Sequence, residues 1–194
     1  MLSYKESLKI LKETEALLEG HFVLSSGLHS DKYIQCAKLL SKPEKAKNLC
    51  LSLAEKIKKK YSKIDLILSP AIGGIVIGYE IGRILNIETI FAERVKDNFF
   101  LRRGFEIKKN QKVLIVEDVI TTGKSSLECS NLVEMSGANI LGYACIIDRS
   151  NKKSLIKKTI ISQIEINIPT YNENNLPEHL KDTVAIKPGS RNLK

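Results

Sequence analysis

The sequence contains no tryptophan, few other aromatic residues and no long apolar run. Aromatic residues make up 6% of its 194 residues. No apolar stretch approaches the roughly 20 residues that cross a membrane. The first twenty residues mix lysines with acidic side chains and lack an uninterrupted apolar region, which excludes the pattern of a secretory signal. We therefore expect a cytoplasmic protein with no membrane segment.

Cysteine and histidine are also scarce, and neither type has the spacing of a metal site. The four cysteines are Cys36, Cys50, Cys129 and Cys145, and the three histidines are His21, His29 and His179. No C-x-x-C pair occurs, and the thiols of a cytosolic protein stay reduced. We expect free cysteines and no metal site formed by protein side chains.

The length and composition are those of a globular domain with a net positive charge. Apolar residues make up 43% of the chain, charged residues 27%, and the net charge is +9. The length fits a single domain over residues 1–194. The lysine-rich residues 56–60 and 152–158 have no interleaved aromatic residues, so we interpret them as solvated faces and expect no nucleic-acid partner. Their positive potential favours a polyanionic ligand.

The most informative stretch covers residues 113–125. Its first four residues are apolar and predict a buried strand of a parallel sheet. Glu117 and Asp118 follow directly, and a helical pattern begins around Ser125. Because ligands bind at the carboxyl ends of strands in open α/β sheets, we expect a ligand site here.

The residue types in this stretch are those of a sugar-phosphate site. A helix N-terminus offers free N–H groups and the positive end of a dipole, which suit a phosphate. Thr121, Thr122 and Ser125 add hydroxyls, and Gly123 allows the backbone to approach closely. The two acids are acceptors placed for ribose hydroxyls. A nucleoside-triphosphate P-loop is excluded, since it requires glycine five positions before Gly123, where Asp118 stands.

The rest of the chain alternates helical and strand patterns. The expected helices cover residues 3–18, ended by Gly20, and residues 43–60, begun by Pro43. The expected strands are a pair within residues 21–35 and single strands at 65–69, 89–94, 139–149 and 160–168, with a loop and short strand at 95–107. Gly73 and Gly74 lie between a strand and a helix, an arrangement that favours a second anion.

Residues 116–125 resemble the phosphoribosyl-pyrophosphate signature of the type I phosphoribosyltransferases. Residues 21–35, the basic segment 94–103 and Asp148–Arg149 together resemble the orotate phosphoribosyltransferases, and the likeness extends from Phe22 to Arg191. It implies an α/β fold with a central, mostly parallel sheet flanked by helices. A small N-terminal hood, residues 1–40, would precede the core and C-terminal tail, residues 41–194.

The resemblance also implies an activity. The phosphoribosyl group of phosphoribosyl pyrophosphate would be transferred to orotate, giving orotidine 5'-monophosphate and pyrophosphate in de novo pyrimidine biosynthesis. Magnesium is the implied cofactor, carried mainly by the substrate pyrophosphate. A homodimer is implied in which the basic loop, residues 94–103, serves the partner's site. In the sequence, the basic residues of this loop have no evident acidic partners nearby.

Residue roles follow from the same resemblance. Catalysis is assigned to Glu117, Asp118 and Lys96, with Arg102 as the second candidate for the loop residue. The residues assigned to phosphoribosyl pyrophosphate are Arg94, Glu117, Asp118, Val119, Ile120, Thr121, Thr122, Gly123, Lys124, Ser125, Gly73 and Gly74. Those assigned to orotate are Thr121, Arg149 and Tyr33. The planar fork of an arginine matches the carboxylate that distinguishes orotate from uracil.

The chain departs from the family pattern at several positions. Ser25 and Gly73 stand where many family members have lysines. Lys32 is a candidate for the charge missing at Ser25, and backbone N–H groups are expected to hold the pyrophosphate at Gly73. The basic loop is shorter than usual, has Val95 after Arg94, and lacks the usual histidine and paired glycines.

Two other functions stay open at this point. One is a phosphoribosyltransferase for another base, such as a purine. The other is a regulator that binds phosphoribosyl pyrophosphate and holds RNA or DNA with its basic surface. The complete acid pair and the basic loop disfavour the regulator.

Overall fold

The computed structural model describes residues 1–24 and 26–188. Within them the helices are α1 (Tyr4–Glu13), α2 (Cys36–Leu40), α3 (Pro43–Lys60), α4 (Gly73–Leu85), α5 (Lys124–Met135) and α6 (Glu178–Lys181). The strands are β1 (Leu17–Val23), β2 (His29–Ile34), β3 (Leu66–Pro70), β4 (Thr89–Val95), β5 (Asn98–Leu101), β6 (Lys112–Ile120), β7 (Asn139–Asp148) and β8 (Ile160–Glu165). None of the described helices is both long and apolar enough to cross a membrane.

The main sheet has six strands in the order β5-β4-β3-β6-β7-β8. Only β5 is antiparallel to its neighbour; β3, β4, β6, β7 and β8 are parallel. The chain passes from β3 through α4 to β4 on one side, and from β6 through α5 to β7 on the other. The two crossovers diverge between β3 and β6, and such a switch point opens a crevice at the carboxyl ends of the strands.

Strand alternation divides the apolar residues of the sheet between two cores. Leu114 and Val116 of β6 pack with residues of α1, α3 and α4 on one face. Val113 and Ile115 of the same strand pack with α5 on the other face. Because both faces are covered by helices, residues 113–116 of β6 are apolar and buried on both faces, as the sequence predicted.

A second, two-stranded sheet, β1–β2, lies within residues 1–40, the region predicted as the hood. Its strands are antiparallel, with Leu17 opposite Ile34. The C-terminal segment flanks this sheet: Tyr171 exchanges two backbone hydrogen bonds of 2.8 Å with His29, and Ile186 bridges Phe22. The tail thus borders the hood, a structural role that the sequence did not reveal.

The predicted helix over residues 3–18 is wrong in its second half. A capping box between Ser3 and Glu6 starts α1, but the helix ends at Glu13. Glu15 then adopts a left-handed φ of 58°, and the chain enters β1. Leu17, expected on a helix face, is buried in a strand instead, because pairing with β2 replaces the helical hydrogen bonds.

Other predicted elements are confirmed with shifted ends. Helix α3 runs from Pro43 to Lys60, and a helix follows Gly123. The acids were expected after a strand, yet β6 continues to Ile120 and contains both of them. The predicted loop and strand at residues 95–107 form a hairpin in which β5 pairs directly with β4. Ser25 and residues 189–194, including Arg191, lie outside the described residues.

Candidate active site

The site lies where β3 and β6 end beside each other. After β3 ends at Pro70, helix α4 begins at Gly73; after β6 ends at Ile120, helix α5 begins at Lys124. The N-termini of two helices of more than ten residues therefore open at the same edge of the sheet, on either side of the switch point. Each offers unpaired backbone N–H groups to an anion.

The acid pair stands between these two helices, and alternation along β6 sends its members to opposite faces. Glu117 points toward α5, where the hydroxyl of Ser126 donates a hydrogen bond to its Oε2 atom. Asp118 points toward α4, where a β-carbon on Gly73 would lie 2.9 Å from its Oδ1 atom. A side chain at residue 73 would therefore require this carboxylate to shift.

In each of the two carboxylates, one oxygen accepts a hydrogen bond from another residue of the protein and the other oxygen does not. Asp118 Oδ1 accepts a 2.8 Å hydrogen bond from the N–H of Val119, as Glu117 Oε2 accepts from Ser126. Within the described residues, no other residue donates a hydrogen bond to Glu117 Oε1 or Asp118 Oδ2. The pair therefore presents two oriented acceptors, which is the arrangement that neighbouring ribose hydroxyls require.

Burial perturbs both acids. Desolvation raises the pKa of Glu117 to about 7; the Ser126 hydrogen bond opposes this shift, and the charge of Asp118 adds to it. Desolvation likewise raises the pKa of Asp118, against the hydrogen bond from Val119. Two partly buried carboxylates with raised pKa values favour positive charge developing beside them.

The hydroxyl-rich loop before α5 is fixed by the segment that follows β7. Gly123 has a left-handed φ of 81°, and a β-carbon there would meet Ser154 and Ile156 at 2.7–2.8 Å. The N–H of Leu155 donates a 2.9 Å hydrogen bond to the carbonyl of Thr122. Glycine is thus required both by conformation and by space, and the loop is hydrogen-bonded to the segment that follows β7.

The signature residues differ in what they expose. Thr121, Thr122 and Lys124 are exposed and Ser125 is half-buried, so their side chains are accessible to a ligand. Ile120 is buried in the core, so only its backbone can reach the site.

The basic hairpin β4–β5 is paired with acids of its own chain. Arg94 forms an ion pair with Glu128 of α5 and stacks on Phe99, with its guanidinium carbon 4.2 Å from the ring centroid. Arg103 and Arg102 contact Glu93 at 2.9 Å and 3.6 Å. The expectation that these charges lack acidic partners nearby is therefore wrong.

Lys96 differs from the other cations of the hairpin. It occupies the exposed turn between β4 and β5 with a left-handed φ of 55°, and it forms no ion pair within the described residues. Its ammonium group is therefore available to a ligand.

Of the three residues assigned to the base, Arg149 and Tyr33 come from different parts of the fold, and Thr121 lies in the loop after β6. Arg149 directly follows β7, and its N–H donates a 2.9 Å hydrogen bond to the carbonyl of Ile120. Its guanidinium is half-buried, which lowers its pKa, and it forms no ion pair within the described residues. Tyr33 is half-buried in the hood, with its ring 5.8 Å from that of Phe22. A half-buried arginine with no acid partner suits an anionic ligand.

Comparison with known proteins settles the family. A model of the phosphoribosyl transferase domain matches residues 38–183. The orotate phosphoribosyltransferase of Parvibaculum lavamentivorans is 45% identical over 189 residues, which cover 95% of this chain and 97% of the relative. The chain belongs to the orotate phosphoribosyltransferase family. The resemblance drawn from the sequence is confirmed at this level.

Solved structures support the fold more than the choice of base. An orotate phosphoribosyltransferase from Aeropyrum pernix matches with a TM-score of 0.72 at 22% identity, over 81% of this chain and 92% of that one. The adenine phosphoribosyltransferase of Thermoanaerobacter pseudethanolicus matches with a TM-score of 0.60 at 20% identity, over 70% and 88%. The predicted α/β fold is confirmed, but transferases named for different bases share it.

Sequence reasoning missed two contacts of the acid pair. Ser126 lies one residue beyond the signature as it was read, and its buried hydroxyl gives no signal in the sequence. Gly73 was assigned to an anion, whereas its contact with Asp118 was not foreseen because the two residues are far apart in the sequence.

We predict that Glu117→Gln raises the free energy of unfolding at about pH 8 more than at about pH 5. The pKa of Glu117 is higher in the folded protein, so stability falls as pH rises from the unfolded value of 4.5 to about 7. Glutamine carries no charge, and it should remove up to about 3 kcal/mol of this cost at pH 8. Urea unfolding at both pH values measures the difference.

Glu106→Gln, at an exposed position, is the control, and its effect on the free energy of unfolding should be nearly the same at the two pH values. An equal effect of Glu117→Gln at the two pH values would contradict the prediction.

Proposed function

We propose that the protein transfers the 5-phosphoribosyl group of phosphoribosyl pyrophosphate to orotate, giving orotidine 5'-monophosphate and pyrophosphate in de novo pyrimidine biosynthesis. The observation that carries the proposal is the acid pair Glu117–Asp118, held between two helix N-termini at the switch point of the sheet. Membership of the orotate phosphoribosyltransferase family supports the identity of the base. Cytoplasmic localisation is part of the proposal and agrees with four free, buried cysteines.

The reaction breaks the bond between ribose C1 and a pyrophosphate oxygen, and the electron pair leaves with pyrophosphate. The ribose acquires oxocarbenium character, and a ring nitrogen of orotate supplies the electron pair for the new bond. Glu117 Oε1 and Asp118 Oδ2 accept from the ribose hydroxyls and stabilise the positive charge on the ring. Electrostatic stabilisation requires both acids to be ionised when the bond breaks.

The two helix N-termini divide the phosphates. The loop 121–125 and the first N–H groups of α5 receive the 5'-phosphate, with Val119 and Ile120 contributing backbone only. Gly73 and Gly74, at the start of α4, receive the pyrophosphate. Arg94 and Lys96 neutralise the leaving group, since an exposed ion pair such as Arg94–Glu128 contributes little and exchanges readily for a phosphate.

The base binds between the hood and the end of β7. Arg149 pairs its guanidinium with the orotate carboxylate, and Thr121 lies on the same edge of the sheet. Tyr33 covers the pyrimidine ring. The half-burial of Arg149 strengthens its pairing with a carboxylate and penalises a base without one.

Magnesium suits this site as part of the substrate. No group of three or more metal-ligating side chains occurs in residues 1–24 and 26–188, so these residues offer no cage for the ion. Magnesium keeps several waters and binds phosphate oxygens readily, so pyrophosphate itself would hold it and its charge would assist the departure of pyrophosphate. The side chains present are compatible with that arrangement.

A homodimer is supported by an exposed apolar stripe at the start of α4. Ile72, Val76 and Tyr79 are 86%, 52% and 65% exposed and are spaced so that they share one face of the helix. An apolar stripe of this kind marks a protein contact. The unpaired Lys96 on the nearby hairpin supports the further proposal that the loop 94–103 serves the partner's site.

The direct test is turnover of orotate with phosphoribosyl pyrophosphate and magnesium, beside uracil, hypoxanthine and adenine. If a purine is the preferred substrate, the protein is a phosphoribosyltransferase for another base. Absence of turnover together with salt-dependent binding of RNA or DNA would favour a regulator.

We predict that Asp118→Asn lowers the turnover number by roughly one to three orders of magnitude, the scale on which one preorganised charge acts in a transition state. The amide keeps the shape of the carboxylate but loses its charge. Steady-state kinetics at saturating substrates measure the change. Asp65→Asn, an acid-to-amide change just before β3 at the opposite edge of the sheet, should leave the turnover number near that of the parent. An unchanged turnover number in Asp118→Asn would remove this acid from the chemistry.

We predict that Arg149→Ala lowers kcat/KM for orotate by roughly two to three orders of magnitude, because a partly buried carboxylate loses its partner. The apparent affinity for phosphoribosyl pyrophosphate should barely change, since its phosphates lie elsewhere. Arg149→Lys keeps the positive charge but lacks the planar guanidinium. Its kcat/KM for orotate should lie between those of the parent and of Arg149→Ala. Lys153→Ala, a nearby exposed cation, is the control. Equal losses for both substrates would contradict the carboxylate role.

We predict that mixing Lys96→Ala subunits with Asp118→Asn subunits restores about a quarter of the parent activity, because random exchange leaves one intact site in half of the dimers. Activity is measured after subunit exchange has been verified by mass. The same mixture carrying Val76→Asp in every subunit should stay monomeric and inactive, since the charge disrupts the apolar stripe. Verified exchange without recovery would show that the sites are not shared.

A further inference from the structure

Ser126 contacts the acid pair from within the first turn of α5. It is fully buried, and its hydroxyl donates to Glu117 Oε2. The helix has no side-chain cap, with Gly123 at the capping position, so this hydroxyl does not serve the start of the helix. Its polar contact is directed at an acid that the mechanism uses.

The direction of this hydrogen bond is unusual for a buried helical serine. Such a serine commonly donates to the carbonyl four residues earlier. Ser130 on the same helix does so, to the carbonyl of Ser126 at 3.0 Å, and Ser136 donates to Leu132 at 2.8 Å. Ser126 instead donates to a carboxylate, and a hydrogen bond to a charged acceptor is the stronger kind.

We propose that Ser126 is a positioning residue of the phosphoribosyl transfer: it holds Glu117 by Oε2 and so directs Oε1 toward the ribose. The inference rests on the proposed function. Without the hydroxyl, the carboxylate would lose its fixed rotamer and the hydrogen bond that anchors it to α5. Asp118 has an equivalent anchor in the N–H of Val119, so each acid has one oxygen bound to protein and one for substrate.

Few charged groups surround Glu117, so a change in its pKa on substitution of Ser126 can be attributed to the lost hydrogen bond. Asp118 adjoins it on β6, and the thiols of Cys129 on α5 and Cys145 on β7 are nearby. Burial raises the pKa of Cys129 to about 12 and that of Cys145 well above its usual value, so both are neutral. Arg94 and Glu128 form an ion pair with each other. Asp118 is thus the charge that acts on Glu117.

The test compares Ser126→Ala with Ser130→Ala, two changes one helical turn apart that each remove one buried hydroxyl. Both variants and the parent are assayed for kcat and for the KM of orotate from about pH 5.5 to 9. The Glu117 carboxyl is titrated in parallel by carbon-13 NMR in the absence of substrate. This second measurement reports on the contact whether or not the protein turns over orotate.

In Ser126→Ala, the Glu117 titration and the acidic limb of kcat should move up by about one pH unit, since the lost hydrogen bond favoured the charged form. The fall in kcat should be about tenfold at pH 6 and smaller at pH 9, with KM for orotate unchanged. Ser130→Ala should keep the parent profile. Ser126→Thr, which keeps the hydroxyl, should restore it in part.

Two outcomes overturn the inference. One is an unchanged Glu117 titration in Ser126→Ala. The other is a loss of kcat that is equal at every pH and matched by Ser130→Ala, which would mean that the hydroxyl serves packing alone. A parent protein that fails to use orotate would refute the proposed function instead, and the NMR titration would still show whether Ser126 governs Glu117.

Discussion

The site depends on one constraint, that neighbouring residues of a strand point to opposite faces of the sheet. Glu117 and Asp118 are adjacent on β6, so they cannot be served by the same helix. One must be accommodated under α5 and the other under α4. Ser126 provides a donor on the first side, and the missing side chain of Gly73 provides room on the second. Two acids can therefore face one ribose while each is held by a different element.

This division also explains why the switch point is needed. Helices α4 and α5 cover opposite faces of the sheet, and their N-termini meet at one edge only because β3 and β6 are neighbours whose crossovers diverge. A substrate with a phosphate at each end of a sugar can then span the two N-termini with its ribose over the acids. The same edge receives Arg149, since β7 runs parallel to β6 and its backbone pairs with Ile120.

Features set by neighbouring residues could be predicted from the sequence, whereas contacts between residues far apart in the chain could not. The strand, acids, loop and helix of residues 113–125 were predictable because each step has its own residue pattern within a few positions. The end of α1 was not, because Leu17 fits a helix face and a strand equally well, and its partner Ile34 in β2 decides between them. The ion pairs of Arg102 and Arg103 with Glu93 were missed because only the hairpin brings these residues together. Gly73 was recognised as a glycine near an anion, but its contact with Asp118 arises from tertiary packing.

The sheet β1–β2 also depends on residues that are distant in the sequence, those of the C-terminal segment. A two-stranded sheet alone is marginally stable in water, so β1 and β2 need further contacts to hold Tyr33 in place. The C-terminal segment supplies them, because Tyr171 pairs with His29 and Ile186 with Phe22, whose ring lies against that of Tyr33. Thr183 of the same segment contacts the ring of His21, which in turn contacts His29 at 2.6 Å. The C-terminal segment thus holds in place the strands that carry Tyr33, the proposed cover of the base.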